Sequence, residues 1–353
     1  TMYQWHNYGK TTIGARTDVE GVDIARLKAF YQQHYRPDNA TLIVSGKFNA
    51  PQVLAWAKQY FGPIKRPGAP PVPQYTLDPV QDGERTVTLR RVGGVPLLYA
   101  GYHVMPGAHA DYAAVEMLGL ILADTPSGRL HKALTEKQLA AAVFSFSEGL
   151  ADPGFLMLGA QLGASQDPDK AAQALVAVTE SIAREPITEA ELARAKAKWL
   201  KGWDQGFADP QHVGVALSEA VAQGDWRLFF LTRDRVKALS VADVQRVAQQ
   251  VLVSSNRTLG QYVPTAAPQR APMPARVDVA QALKGFKGEA AAAEIGRFAG
   301  SRAAAQYLDF CRRSQRTFDT LEPHYLRAQR PTPLSLAWRC GLEGLPGLMR
   351  ISP

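Results

Sequence analysis

A chain of 353 residues with 46% hydrophobic and 20% charged residues is long enough for two ordinary domains, and its composition excludes a disordered or fibrous class. The longest strongly apolar stretch, 117–123, falls far short of the roughly 20 residues a membrane-crossing helix needs, so no membrane span is expected. The net charge of +8 raises a nucleic-acid partner, but nine Arg and no Lys gather in 288–353. No basic stripe interleaved with aromatics runs through the remainder, so nucleic-acid binding is not expected.

In chain order, Asp23 is a helix N-cap followed by Leu27, Phe30, Tyr31 and His34 on one stripe, then a polar turn at Asn39 and a strand over 41–45. Residues 63–79 hold six Pro and read as a linker. A pair of strands, 85–92 and 95–104, is broken at Gly93-Gly94, which is a hairpin signal. An apolar helix over 111–124 leads through the turn Pro126-Ser127-Gly128-Arg129 into a short helix at Ala133 and Leu134. Strands over 142–147 and 154–162 follow, then helices over 171–184, from the Thr188–Glu191 capping box through Trp199, over 210–223 and over 240–251. A last strand, 258–263, precedes a second Pro-rich segment. This order, without strict βαβ alternation, predicts an α+β fold: an antiparallel sheet with helices packed on one face.

An internal repeat underlies the pattern. Shifted by 217 residues, the segment from Asp23 to Leu42 aligns with that from Ser240 to Leu259. Identities fall at Ala25/Ala242, Gln32/Gln249, Gln33/Gln250, Asn39/Asn256, Thr41/Thr258 and Leu42/Leu259, with matching cap, helix, turn and strand. The second copy has about 200 residues before it and the first has almost none, so the expected organisation is 1–62 as the closing remnant of a first domain. A linker over 63–79 then leads to a complete module over 80–263, a linker over 264–290 and an unassigned Arg-rich tail over 291–353. Both cysteines, Cys311 and Cys340, lie in that tail; a disulfide between them is possible on paper, and sequence cannot test its geometry.

Several segments together resemble one family. Tyr8-Gly9-Lys10-Thr11-Thr12-Ile13-Gly14, then Leu27, Phe30, Tyr31, His34, Tyr35, Pro37, Asn39, Ala40, Thr41, Leu42, Val44 and Gly46 in order, look like the end of a catalytic domain of the insulinase/pitrilysin-type zinc metallopeptidases. Ser127-Gly128-Arg129-Leu130 with Leu134, Glu136, Leu139 and Ala140 is similar to the hallmark stretch of their second, non-catalytic domain. Pro186, Thr188, Glu191, Leu192, Arg194, Ala195 and Lys196 match a further segment. The resemblance covers about residues 1–263 and implies repeated α+β domains of the mitochondrial-processing-peptidase-like kind. It also implies a peptide substrate and, in the full-length family member, a zinc ion held by an H-x-x-E-H motif and a later Glu. It further suggests, by analogy alone, a periplasmic location.

The motif itself is not in this sequence. The residues four places after His6, His34, His103, His109, His131, His212 and His324 are Lys10, Asp38, Gly107, Ala113, Thr135, Ala216 and Ala328. No catalytic, cofactor-binding or metal-ligating residue is therefore assigned, and no cofactor is expected in this chain. His103 and His109 read as surface or cap histidines, Ser127-Gly128-Arg129 as a turn before an anion site, Arg90 and Arg91 as a solvated pair, and the sequon Asn39-Ala40-Thr41 as a helix-to-strand turn. The leading expectation is a companion domain that helps enclose a peptide for a missing catalytic domain, inactive alone. The alternative is a non-catalytic partner subunit of a two-chain peptidase, acting with a homologous chain.

Overall fold

The computed structural model describes residues 1–68, 75–285 and 289–322. Contacts divide the chain into two compact units, Thr1–Gln269 and a second from Arg270 onward. The first opens with three helices, α1 (Arg16–Gly21), α2 (Ile24–His34) and α3 (Ala50–Phe61). The Asp23 carboxylate accepts the Ala25 N–H and starts α2 as its cap predicts. No residue of these three helices is buried. The strand expected over 41–45 does not form. A strand exists through its neighbour's hydrogen bonds, and among the described residues nothing pairs with this segment.

The sheet has five strands in the order β1-β5-β2-β4-β3. They are β1 (Arg85–Arg91), β2 (Leu97–His103), β3 (Ala142–Glu148), β4 (Phe155–Gln161) and β5 (Arg257–Pro264). Pairings β2–β4, β2–β5 and β3–β4 are antiparallel. The edge pairing differs: β1 runs parallel to β5, with Arg85 opposite Thr258. The strands flanking Gly93-Gly94 are thus not each other's partners, because β5 lies between them. Both glycines have a φ of +79°, and the loop passes over Tyr262 of β5, whose hydroxyl donates to the Gly93 carbonyl at 2.9 Å. A Cβ on Gly94 would lie 3.1 Å from the Tyr262 ring, so backbone freedom and close approach both call for glycine here.

One face of the sheet carries the core. Leu98, Ala100 and Tyr102 of β2 and Leu156, Leu158 and Ala160 of β4 are buried there. Above them lies α4 (Tyr112–Ala123), with ten of its twelve residues buried, as for a helix apolar all round. The layer continues with α5 (Pro168–Ser181), α6 (Glu189–Phe207), α7 (Pro210–Ala222), α8 (Leu228–Ala238) and α9 (Val241–Val251). Asp167, Thr188, Asp209 and Ser240 cap four of these helices by accepting first-turn N–H groups. Helix α8 lacks such a side-chain cap and has an Arg- and Asp-rich segment within it, so no periodic signal announces it. Arg257 opens β5 buried between Glu84 and Glu180. The short helix expected at Ala133 and Leu134 forms over His131–Thr135, wound more widely than an α-helix.

The other face of the sheet bears no helix among the described residues of the first unit. It presents Tyr99, Phe144, Phe146 and Phe155, with ring pairs Tyr99–Phe144 at 5.7 Å and Phe146–Phe155 at 5.9 Å. Gly159 lies beneath Phe144, whose ring would come within 2.2 Å of a Cβ there.

The second unit contains α10 (Val279–Ala282) and a hairpin of α11 (Glu289–Ala299) and α12 (Ser301–Leu321), turned at Gly300 with a φ of +88°. In α12 the Arg313–Asp309 ion pair supports the exposed side. Cys311 is a free thiol, and Cys340 lies outside the described residues, as do Trp338 and His324.

Candidate functional site

The histidines fall into separate settings. His6 is buried; its Nδ1 accepts the Tyr8 N–H at 3.1 Å, which leaves the proton on Nε2, 3.2 Å from an Asp152 carboxylate oxygen. Around it the first residues form a strap: the Asp78 carboxylate accepts the N–H groups of Gln4, Trp5 and His6 at 2.7–3.2 Å. His103 ends β2, touches the Met2 carbonyl through Nε2 at 3.1 Å and packs edge-on against Tyr3 at 4.7 Å. Burial is the main influence that lowers its pKa. His109 precedes α4, and its Nδ1 accepts the Asp111 N–H. His34 packs at a tilt against Phe30, and His212 of α7 lies close to Gly206.

His6 and His103 both flank Tyr3, yet among the described residues no group of three or more His, Cys, Asp or Glu could hold a metal ion. The donor set therefore does not fit the zinc that the resemblance implies, and no chemical step is routed through one.

The turn at Ser127-Gly128-Arg129 directs its guanidinium into the protein, which takes up four of its five N–H donors. Arg129 grips Glu191 through two parallel bonds, 2.7 and 2.9 Å, and donates to the carbonyls of Glu185 and Pro186 at 2.7 and 3.0 Å. Glu191 also closes the capping box of α6, accepting from the Thr188 N–H and hydroxyl. Burial is the largest single influence on Glu191 and opposes its charge. The bonds from Arg129 and Thr188 together outweigh it and hold the carboxyl at about 2. The hallmark Arg129 is thus a clamp between the α4–β3 connection and the start of α6. Arg90 and Arg91 are exposed on the edge strand, and among the described residues the Arg91 guanidinium donates to the Arg90 carbonyl alone. Asn39 has the predicted turn role, donating to the His34 carbonyl at 2.9 Å.

One concave feature has no signal in the sequence. A cavity of about 710 Å³ opens between α4, α6, α7, α8 and the turn after β3. Its wall includes Tyr112, Glu116, Trp199, Trp203 and Phe229, with Glu148 and Glu219 exposed on it. Glu116 accepts from the Ser147 hydroxyl at 2.9 Å and the Trp199 indole N–H at 3.1 Å. Burial first, and then the charges of Glu116 and Glu148, push the Tyr112 phenol well above its usual range. Trp203 stacks with Phe207 and Phe229 at 4.9 and 5.1 Å and carries Arg233 4.7 Å over its ring. Only a tertiary contact joins Glu116 to Trp199, and no local spacing in the chain marks it.

Comparison with known proteins gives this fold a family. The family model described as the peptidase M16 inactive domain matches residues 21–198, about half of the chain. The zinc protease PqqE of Helicobacter pylori is 28% identical over 267 residues, covering 73% of this chain and 59% of that protein. The solved structure of a protease from Helicobacter pylori superposes with a TM-score of 0.70 at 25% identity, covering 75% of this chain and 65% of that one. A peptidase M16 inactive domain from Pseudomonas fluorescens, 20% identical and covering 76% and 63% of the two chains, shares the fold with a TM-score of 0.64. The chain spans 57–59% of the length of the first curated relatives it matches. With half of its residues matched by that family model, the chain belongs to the peptidase M16 inactive-domain family, the non-catalytic companion module of insulinase-type zinc proteases.

Proposed function

We propose that this chain acts as the peptide-enclosing, non-catalytic portion of a zinc metalloendopeptidase, with hydrolysis carried out by an H-x-x-E-H domain that its N-terminal helices help to complete. The observation that carries this reading is the contrast between the two copies of the repeat. In α9, Val244 and Val247 are fully buried against the module's core. In α2, Leu27, Phe30 and Tyr31 are 53%, 56% and 59% exposed, and Trp56 on α3 is 48% exposed. Apolar stripes of this kind are cores in need of a cover, and the cover that α9 has is a sheet and helix layer of its own domain. The aromatic face of the sheet supports the enclosing role, since its rings, Tyr99–Phe144 and Phe146–Phe155, suit an extended peptide's side chains.

The test is reconstitution. The full chain is mixed or co-expressed with a zinc-loaded H-x-x-E-H domain of the family, and cleavage of a quenched fluorescent peptide is followed. Zinc-dependent hydrolysis exceeding that of the catalytic domain alone, together with a stable complex on gel filtration, is the expected result. No complex and no gain in rate would sink the reading.

A further inference from the structure

The cavity beside Glu116 carries an imbalance of charge in a protein whose net charge is +8. Glu116 is half-buried, yet both of its hydrogen bonds come from neutral donors, Ser147 and Trp199. A carboxylate removed from water and left without a cation is costly, and a cation brought to it recovers part of that cost. The other two carboxylates of the wall, Glu148 and Glu219, are exposed and have no ion pair among the described residues. The lysine of the wall, Lys198, is drawn away to Asp124, and Arg233 pairs with Asp234 while covering Trp203. The remaining lining is largely apolar and aromatic, including Trp199, Phe229 and Leu120. A ligand that fits needs an apolar stem and a cationic head.

The neighbourhood says what carries such a group. Ser147 and Glu148 are the last residues of β3, an edge strand whose outer side is unpaired among the described residues. A chain lying beside an edge strand finds backbone donors and acceptors ready for it, while its alternate side chains enter adjacent pockets. In addition, the Trp203 indole N–H is buried without an acceptor, a donor that a peptide carbonyl could satisfy after a small turn of the ring.

We propose that this cavity receives one lysine or arginine side chain of an extended peptide, its stem along Trp199 and Phe229 and its charge at Glu116, with Glu148 and Glu219 drawing it in at the mouth. The site deepens the enclosing role and rests on the reading that this module holds peptides. It gives the companion module a side-chain preference of its own.

The test uses the full chain alone, without zinc or a second protein, so its outcome is separate from that of the reconstitution. A fluorescein-labelled heptapeptide, Ala-Leu-Ala-Arg-Ala-Leu-Ala, is titrated at low salt and its anisotropy read, against the same peptide with Gln in place of Arg. The Arg peptide binds about tenfold more tightly than the Gln peptide, a preference of the size one partly desolvated ion pair supplies. Glu116→Gln abolishes that preference, and the isosteric pair Glu148→Gln and Glu219→Gln, both at exposed positions, reduces it and its salt dependence. Thermal melts of each variant verify folding. Equal binding of the two peptides overturns the proposal, as does no binding, or a preference that survives all three substitutions.

Discussion

Asn39 and Asn256, 217 residues apart, make the same hydrogen bond: each side-chain amide donates at 2.9 Å to the carbonyl five residues before it, of His34 and Val251 respectively. Asn256 then does something Asn39 does not, donating a second bond to the carbonyl of His103 at the end of β2. The local device is duplicated, and the tertiary contact belongs to one copy. Replacing Asn256 by Ala should cost about 2 kcal/mol, because it leaves carbonyls at a strand end and a helix end short of a donor. Asn39→Ala, at an exposed turn, should stay within about 0.5 kcal/mol. Urea melts of the two variants measure both.

The Arg129–Glu191 clamp predicts a response to acid. The Glu191 carboxyl is held at about 2 against an unperturbed 4.5, so its folded-state pKa is depressed. Its contribution is fully present above about 4.5 and disappears as the pH falls towards 2. Arg129→Ala should destabilise the fold by about 2 kcal/mol at neutral pH, since it strands a half-buried carboxylate. It should also flatten the pH dependence of stability between about pH 5 and pH 2, and melts across that range compare the slopes.

The apolar stripe of α2 predicts where the isolated chain is sticky. Leu27→Gln with Phe30→Gln should lower dye binding and self-association, read by fluorescence of a hydrophobic probe and by light scattering, with a shift in melting temperature of no more than about 2 °C. The matching change in the other copy, Val244→Gln, should cost about 4 kcal/mol by placing an amide in the core. Equal effects in the two copies would remove the argument for an absent cover.

Zinc added to the chain alone should give no stoichiometric heat of binding and no peptide turnover. His6, His103 and His109 pair with Tyr8 and Asp152, with Met2, and with Asp111 rather than with one another. A one-to-one isotherm with zinc-dependent cleavage would contradict this.

Much of this architecture is legible in local patterns of the chain. The caps at Asp23 and Ser240, the Thr188–Glu191 box, the alternation in β4 and the repeat are local signals, and each element forms where its pattern lies. The strand expected over 41–45 is absent because strand formation needs a partner that no propensity supplies. The Gly93-Gly94 signal announces a turn but not what the turn crosses, since β5 arrives only at residue 257. Arg129 stands out in its motif and its clamp does not: Glu185, Pro186 and Glu191 lie more than fifty residues away in sequence. The Glu116 cavity is invisible for the same reason, being assembled from four helices and a strand end.

The Gly93-Gly94 loop over Tyr262 has a consequence for synthesis and folding. Among the described strands β1 has β5 as its single partner, and β5 also fills the gap between β1 and β2. One of the first segments of the module to leave the ribosome therefore stays without a ladder until one of the last arrives, and its closure has a high contact order. Fusing a stalling sequence after residue 256 should leave 85–91 open to proteolysis on the nascent chain, and extending the stall beyond the strand by the length of the exit tunnel should protect it.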